Sequence, residues 1–370
     1  MQYPLAQPSF GKEEIDEVKK VLASGWVASG PKVADLERKV RTLLHVKHAI
    51  ATTNCTSALH IALLAVGIKP KDEVIVADYT FPATGHAVLY CGAVPRFIDV
   101  DPETYNLDPS LIPEEVRKKT RVIIPVHTFG QPADMAPIME YAKKFHLRVI
   151  EDAACALGAK YNGQYAGTIG DVGCFSLHAR KGFTSGEGGL LVTNNDEIAS
   201  QARSLMNFGI SSAWDREGQI MIPVFEKLGF NYKMSDITAA IACAQLSRFD
   251  EVLEWRRVLG HLWTQAIGDI QYLVPPKVEG EDHIYQSYVP VTKFINRNKL
   301  ILNLRAQGIQ AQIGTYASHM QPVYNSKDKC PVSMQLFDQA IALPIYSKLI
   351  GPEIEEMASK IQRTIKGMTT

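Results

Sequence analysis

The stretch 147–193, LRVIEDAACALGAKYNGQYAGTIGDVGCFSLHARKGFTSGEGGLLVT, decides the fold. It contains three short apolar runs, at 147–151, 172–176 and 189–193. Each is short for a helix and is flanked by Gly, acidic or polar residues, so each predicts a strand buried on both faces. Further strands are expected at 73–77, 94–99 and 121–126. Helices are expected at 32–44, 56–66, 113–119 and 134–145. This alternation predicts an α/β domain with a large, mostly parallel mixed sheet sandwiched by helices.

Toward the C-terminus the pattern changes. No Gly or Pro interrupts 235–259. The spacing predicts one helix of about 50 Å at ~1.5 Å per residue, or two helices with a break near Gly260. Beyond it a strand at 287–292 and helices at 298–307 and 353–365 suggest a smaller α+β unit. The expected division is a large domain, 1–246, and a small C-terminal domain, 247–370.

Composition narrows the function. Lys plus Arg and Asp plus Glu both number 39, for a net charge of zero, which argues against nucleic acid or acidic membranes as partners. The first residues, MQYPLAQPSF, carry neither a basic leader nor an apolar run. The most apolar window, 58–68, contains His60 and is too short to cross a bilayer. Six scattered cysteines with no CxxC pair argue against a zinc site or a disulfide framework. The expectation is a cytoplasmic protein with free thiols and no metal.

Open α/β sheets bind ligands beyond the carboxyl ends of their strands. Four places there stand out. Thr53-Asn54-Cys55-Thr56-Ser57 leads into an apolar helix, and free N–H groups at a helix start favour an anion. An ordinary helix cap would look the same. Glu151 and Asp152 end a strand side by side, and the pleat directs them to opposite faces. Lys181 follows the strand ending at Ser176 and precedes a Gly-rich loop. Phe81, after the strand 73–77, offers a ring that could stack on an aromatic ligand or sit beneath a loop. A phosphate cradle, a stacking ring, a carboxylate and a lysine are together the parts required by pyridoxal 5'-phosphate (PLP).

In order and spacing the chain resembles the DegT/DnrJ/EryC/StrS sugar aminotransferases, which have the aspartate-aminotransferase fold. The resemblance runs through Gly30-Pro31-Lys32-Val33, Gly130-Gln131-Pro132-Ala133-Asp134-Met135, Glu151-Asp152-Ala153-Ala154 and Gly170-Asp171-Val172-Gly173. It continues through Gly186-Glu187-Gly188-Gly189 and Gly229-Phe230-Asn231-Tyr232-Lys233-Met234-Ser235-Asp236. It implies that Lys181 joins the cofactor aldehyde, Asp152 partners the pyridine nitrogen and Phe81 stacks on the ring. Thr56, Ser57 and Ser176 would bind the phosphate. Asn231 or Lys233 would reach the cofactor of a neighbouring subunit, making a homodimer with shared active sites. Tyr316, His319 and His178 would stand on the substrate side.

The resemblance also implies an amino-acid donor, L-glutamate, and a nucleotide-linked keto sugar as acceptor. The stretch Phe208-Gly209-Ile210-Ser211 with Ala213-Trp214 points to the sugar C4. Alternatives are a PLP- or PMP-dependent sugar dehydratase, a cyclitol aminotransferase and a non-catalytic PLP- or sugar-binding regulator. Two departures stand out. Cys55 occupies the family's glycine position in the phosphate turn, where a positive φ would be costly. Cys155 stands where the family places Gln or His near the cofactor's phenolic oxygen. A desolvated Lys181 beside a cationic ring is expected to have a lowered pKa. Arg297, Arg305, Lys293 and Lys299 are charges that a diphosphate could meet, although surface cations are usually only solvated.

Overall fold

A computed structural model describes residues 2–210, 223–278 and 283–369. Seven strands form the main sheet: β1 (His48–Thr52), β2 (Glu73–Ala77), β3 (Val94–Ile98), β4 (Thr120–Ile124), β5 (Arg148–Asp152), β6 (Val172–Ser176) and β7 (Gly189–Thr193). Their order across the sheet is β1-β7-β6-β5-β4-β2-β3. Strand β7 pairs antiparallel with both neighbours, whereas β6-β5-β4-β2-β3 pair in parallel. Six strands therefore run the same way. The ends of β1, β2, β5 and β6 and the start of β7 share one edge of the sheet.

The helices are α1 (Lys12–Ser24), α2 (Pro31–Leu44), α3 (Cys55–Ala65), α4 (Ala83–Tyr90), α5 (Ile112–Glu115), α6 (Met135–Phe145), α7 (Asp196–Met206), α8 (Asp236–Leu246), α9 (Phe249–Ile267), α10 (Arg297–Ala306), α11 (Pro331–Gln339) and α12 (Gly351–Thr369). Strand residues alternate between two cores. Ile50, Ile150, Cys174 and Leu191 pack with α3 and α7. Ala49, Ala51, Phe175, Leu190 and Val192 pack with α2 and α8 on the other face. The period of two puts Asp152 on the same face as Ile150 and Ser176 on the same face as Cys174, both toward α3.

The uninterrupted helix expected over 235–259 does not form, nor does the break fall at Gly260. The chain turns at Ser247 and Arg248, between α8 and α9. Arg248 is drawn there by the Ser9 carbonyl at 3.1 Å and the buried Glu14 carboxylate at 2.9 Å. Gly260 lies inside α9, where a Cβ would come 2.4 Å from the Tyr285 ring. It is therefore a packing glycine. The strand expected over 287–292 shrinks to Val291–Thr292, and the helix expected over 113–119 to α5.

A third core joins α9, α10 and α12 through Trp263, Leu300, Leu304, Met357 and Ile361. Tyr3 packs in that core, so the N-terminal segment reaches the C-terminal unit. Among the described residues no helix is long and apolar enough to cross a membrane.

Candidate active site

Helix α3 begins where β1 ends, and Asn54 caps it. The Asn54 side chain accepts from Ser57 N–H at 2.8 Å and from the Ser57 hydroxyl at 3.0 Å. The N–H groups of Cys55 and Thr56, the first two of the helix, have no intrahelical acceptor and face outward with the positive dipole end. The costly conformation anticipated for Cys55 is not needed, because Cys55 is absent from the residues with positive φ. Close approach is secured elsewhere. A Cβ on Gly189 would lie 2.3 Å from the Asn54 carbonyl carbon, so only glycine lets β7 pass beneath this turn. Thr56 and Ser57 line a cavity of about 730 Å³ with Asn54, His60, Tyr90, Glu187, Phe230 and Tyr232.

The two carboxylates ending β5 have different surroundings. Glu151 accepts from Gly167, Ile169 and Gly170 N–H at 2.6–2.7 Å and from His127 Nε2 at 2.9 Å. His127 Nδ1 accepts from Ala133 N–H, which makes Nε2 the donor. Asp152 Oδ2 accepts from the Thr84 hydroxyl at 2.7 Å, and Oδ1 from Ala154 N–H at 3.1 Å. Burial raises the Asp152 pKa, partly opposed by the Thr84 bond, the Ala154 N–H and the nearby Lys181 charge. A cation placed against it would restore its ionised form.

Lys181 lies one short turn beyond Ser176. Its Nζ donates to Cys155 Sγ at 3.0 Å. Burial pulls its pKa down, but Cys155, Cys55 and the Asp152 carboxylate outweigh that, and the pKa stands above the ordinary lysine value. Burial alone would give the expected lowering, and the thiols and carboxylate near the ammonium reverse it. Lys181, Asp152, Cys155 and the Cys55 turn are close enough to perturb one another's charge.

Phe81 sits at the mouth of the same edge. It is 64% exposed and contacts only Tyr316 among described rings, edge-on at 6.1 Å. Its carbonyl accepts from the backbone N–H of Thr84, whose hydroxyl bonds Asp152. Ser176 is buried, and its hydroxyl accepts from His178 N–H at 3.3 Å. His178 itself is half-buried with Nε2 3.6 Å from Glu187, and its carbonyl accepts from Lys181 N–H at 2.8 Å. Asn231 is exposed and accepts from Lys233 Nζ at 2.9 Å. The backbone bond from Thr53 N–H to Tyr232 O ties that segment to the turn that opens α3. Tyr316 pairs with Thr80, and His319 with Asp78.

Arg297 does not serve a diphosphate. It is buried, and its guanidinium donates to the Ala340 and Phe337 carbonyls. The Arg305 Nε–H is likewise spent on Ala311 O. Sequence reasoning placed Asn54 and Gly189 within their motifs without the capping and backbone-packing roles they have here, and gave Thr84 none. For Thr84 the signal was available: a hydroxyl in a loop that follows a strand of a parallel sheet. Of the segment taken to indicate C4, Phe208, Gly209 and Ile210 are described, while Ser211, Ala213 and Trp214 lie outside the described residues.

A lysine, a buried acid, an aromatic ring and the start of helix α3 thus lie together at one edge of the sheet. The chain belongs to the DegT/DnrJ/EryC1/StrS aminotransferase family, whose model matches residues 8–362. It is 35% identical to the GDP-perosamine synthase of Caulobacter vibrioides, over 98% of both chains. It is 34% identical to the spore coat polysaccharide biosynthesis protein SpsC of Bacillus subtilis, over 98% of this chain and 97% of SpsC. A Streptococcus pneumoniae protein solved in its PLP form superposes with a TM-score of 0.92 at 25% identity, over the whole of both chains. The chain is thus a sugar aminotransferase of a family that uses PLP, on the aspartate-aminotransferase fold.

Proposed function

We propose that this enzyme binds PLP at Lys181 and transfers an amino group from L-glutamate to the keto group of a nucleotide-linked deoxy sugar, at C4. The carrying observation is the convergence of Lys181, Asp152 and the α3 start at one sheet edge. The name of the perosamine-forming relative supports a nucleotide-linked acceptor. When bound, PLP supplies an electron sink for the charge left on the substrate Cα and a carbon that carries the amino group.

The chain's residues do the rest. Asp152 keeps the ring nitrogen protonated. The Cys55 and Thr56 N–H groups, with the Thr56, Ser57 and Ser176 hydroxyls, hold the phosphate. Phe81 covers one face of the ring. Lys181 Nζ, released when the donor's amine takes its place, would accept the proton from the substrate Cα and then give it up again, base and then acid. Cys155 stands near the phenolic oxygen, where a thiol is a weak donor. Asn231 or Lys233 completes the phosphate site of a second subunit in a homodimer. The proposed division at 246/247 is supported by the turn between α8 and α9, and residues 2–5 pair with the second unit. The setting is the cytoplasm, in line with six free cysteines.

The test is spectroscopic. The purified protein is expected to be yellow, to bleach with borohydride, and to lose both properties in Lys181→Ala. Glutamate shifts the spectrum to the amine form, and product analysis with 4-keto and 3-keto nucleotide sugars separates transfer from dehydration. Colour without a glutamate shift would remove glutamate as donor.

A further inference from the structure

Asp78 directly follows β2 as Asp152 ends β5, yet amino transfer as described gives it no part. Its carboxylate is fully buried. Oδ1 accepts from His319 N–H, and Oδ2 lies 2.6 Å from His319 Nδ1. The Asp78 carbonyl also accepts from Ser318 N–H at 2.9 Å. One aspartate thus holds both the backbone and the ring of His319. The 2.6 Å separation is that of a charge-assisted hydrogen bond, so Nδ1 carries a hydrogen. The His319 side chain is 14% exposed while that of Asp78 is not exposed at all, so the accessible edge of the imidazole is the one opposite, bearing Nε2. The same loop carries Tyr316, whose ring meets Phe81.

We propose that Asp78 is a positioning residue that keeps His319 as an imidazolium, whose Nε2–H binds an anionic oxygen of a substrate, the donor carboxylate or the acceptor diphosphate. The inference rests on the aminotransferase reading and deepens it. The surrounding charges leave this assignment intact. Asp99 is spent on Val332 N–H, Ser333 N–H and the Ser333 hydroxyl. Asp328 is paired with Arg96 at 2.9 Å, and Arg96 also with Glu115. Both aspartates add to the bond from Asp78 in raising the His319 pKa against burial.

Cys330 brings a third ligand-type atom within 4.8 Å of Asp78 and His319. Burial pushes its thiol well up, and it donates to the Phe97 carbonyl. Asp78 Oδ2 and His319 Nδ1, 2.6 Å apart, are at hydrogen-bond distance and are joined through a proton.

The experiment uses the cofactor-loaded protein labelled at histidine nitrogens, with His319→Gln to assign the signal. His319 is expected to titrate above the ordinary histidine value of about 6.5. In Asp78→Asn it titrates lower, and its neutral form moves the proton from Nδ1 to Nε2, because the amide N–H now donates to Nδ1. Both variants raise either the KM for glutamate or the Kd for inorganic pyrophosphate by ~10-fold, with kcat within about threefold. Whichever probe responds identifies the anion. Asp78→Glu restores most of the lost affinity.

The proposal is overturned if Asp78→Asn leaves the titration unchanged, if neither anion weakens, or if one zinc equivalent binds and is lost in Cys330→Ala. Failure of wild-type protein to react with glutamate counts against the donor assignment alone. The titration and the pyrophosphate arm still judge Asp78 and His319.

Discussion

The two faces of the end of β5 carry the same functional group and treat it differently. On one face Glu151 has four donors and no solvent exposure. Three of them come from the 167–170 turn, so Glu151 acts as the template on which that turn is built. On the other face Asp152 has two donors, an elevated pKa and a lysine nearby. A saturated carboxylate has no capacity left for a ligand. An undersaturated buried one is held at a cost that a bound cation removes.

The comparison breaks first at Glu151. Glu151→Ala leaves His127 Nε2–H and three backbone N–H groups without a partner, and should cost about 3–5 kcal/mol of stability. Chemical denaturation measures it, and the fraction that still folds should remain yellow. Asp152→Ala should do the reverse. Stability changes little, while the glutamate half-reaction slows on the order of 10²–10³-fold, about 2.7–4 kcal/mol. Stopped-flow absorbance reads that rate. If Glu151→Ala slowed the chemistry at unchanged stability, the two roles would have been exchanged.

These roles were only partly legible in the sequence. The three strands of 147–193 could be read because a strand buried on both faces must be apolar nearly throughout, and β6 and β7 fall where the runs place them. Two adjacent acids with opposite directions followed from the pleat, but which one meets a ligand did not. That choice depends on the 167–170 turn and on Thr84, which are brought to the strand by tertiary folding. The same limit explains the broken helix. Residues 235–259 have helical propensity throughout, and the turn at Arg248 is imposed by Glu14, more than 200 positions earlier. The His319–Asp78 pair is equally remote in sequence, although an acid directly after β2 repeated the pattern of β5.

Asp152→Asn sharpens the contrast at smaller scale. The folded pKa of Asp152 is raised above its unfolded value. Its contribution to stability is therefore fully present below the unfolded pKa and is lost as pH rises through the folded one. At neutral pH the cofactor-free protein carries that penalty, and an isosteric amide removes it. The variant should gain about 0.5–2 kcal/mol at pH 7 while losing the reaction, the exchange of function for stability expected of a strained site. The gain should vanish in acid, as thermal unfolding at two pH values will show.

The smallest effect concerns Cys155, one of the two departures from the family's motifs. Its thiol is the direct partner of Lys181 and one of the groups that keep the lysine pKa high. Capture of the cofactor aldehyde needs the free amine, so the rate of colour development with added PLP should climb with pH. In Cys155→Ala the lysine loses that support and its pKa falls. More free amine is then present at any pH below the pKa, and the capture profile moves toward lower pH. At a fixed mildly alkaline pH the gain should stay within about tenfold, the equivalent of one pKa unit. Should capture slow, the thiol assists the approach of the aldehyde and the pairing with Lys181 is productive; should it accelerate as expected, Cys155 holds the lysine in reserve until the ring cation arrives beside Asp152.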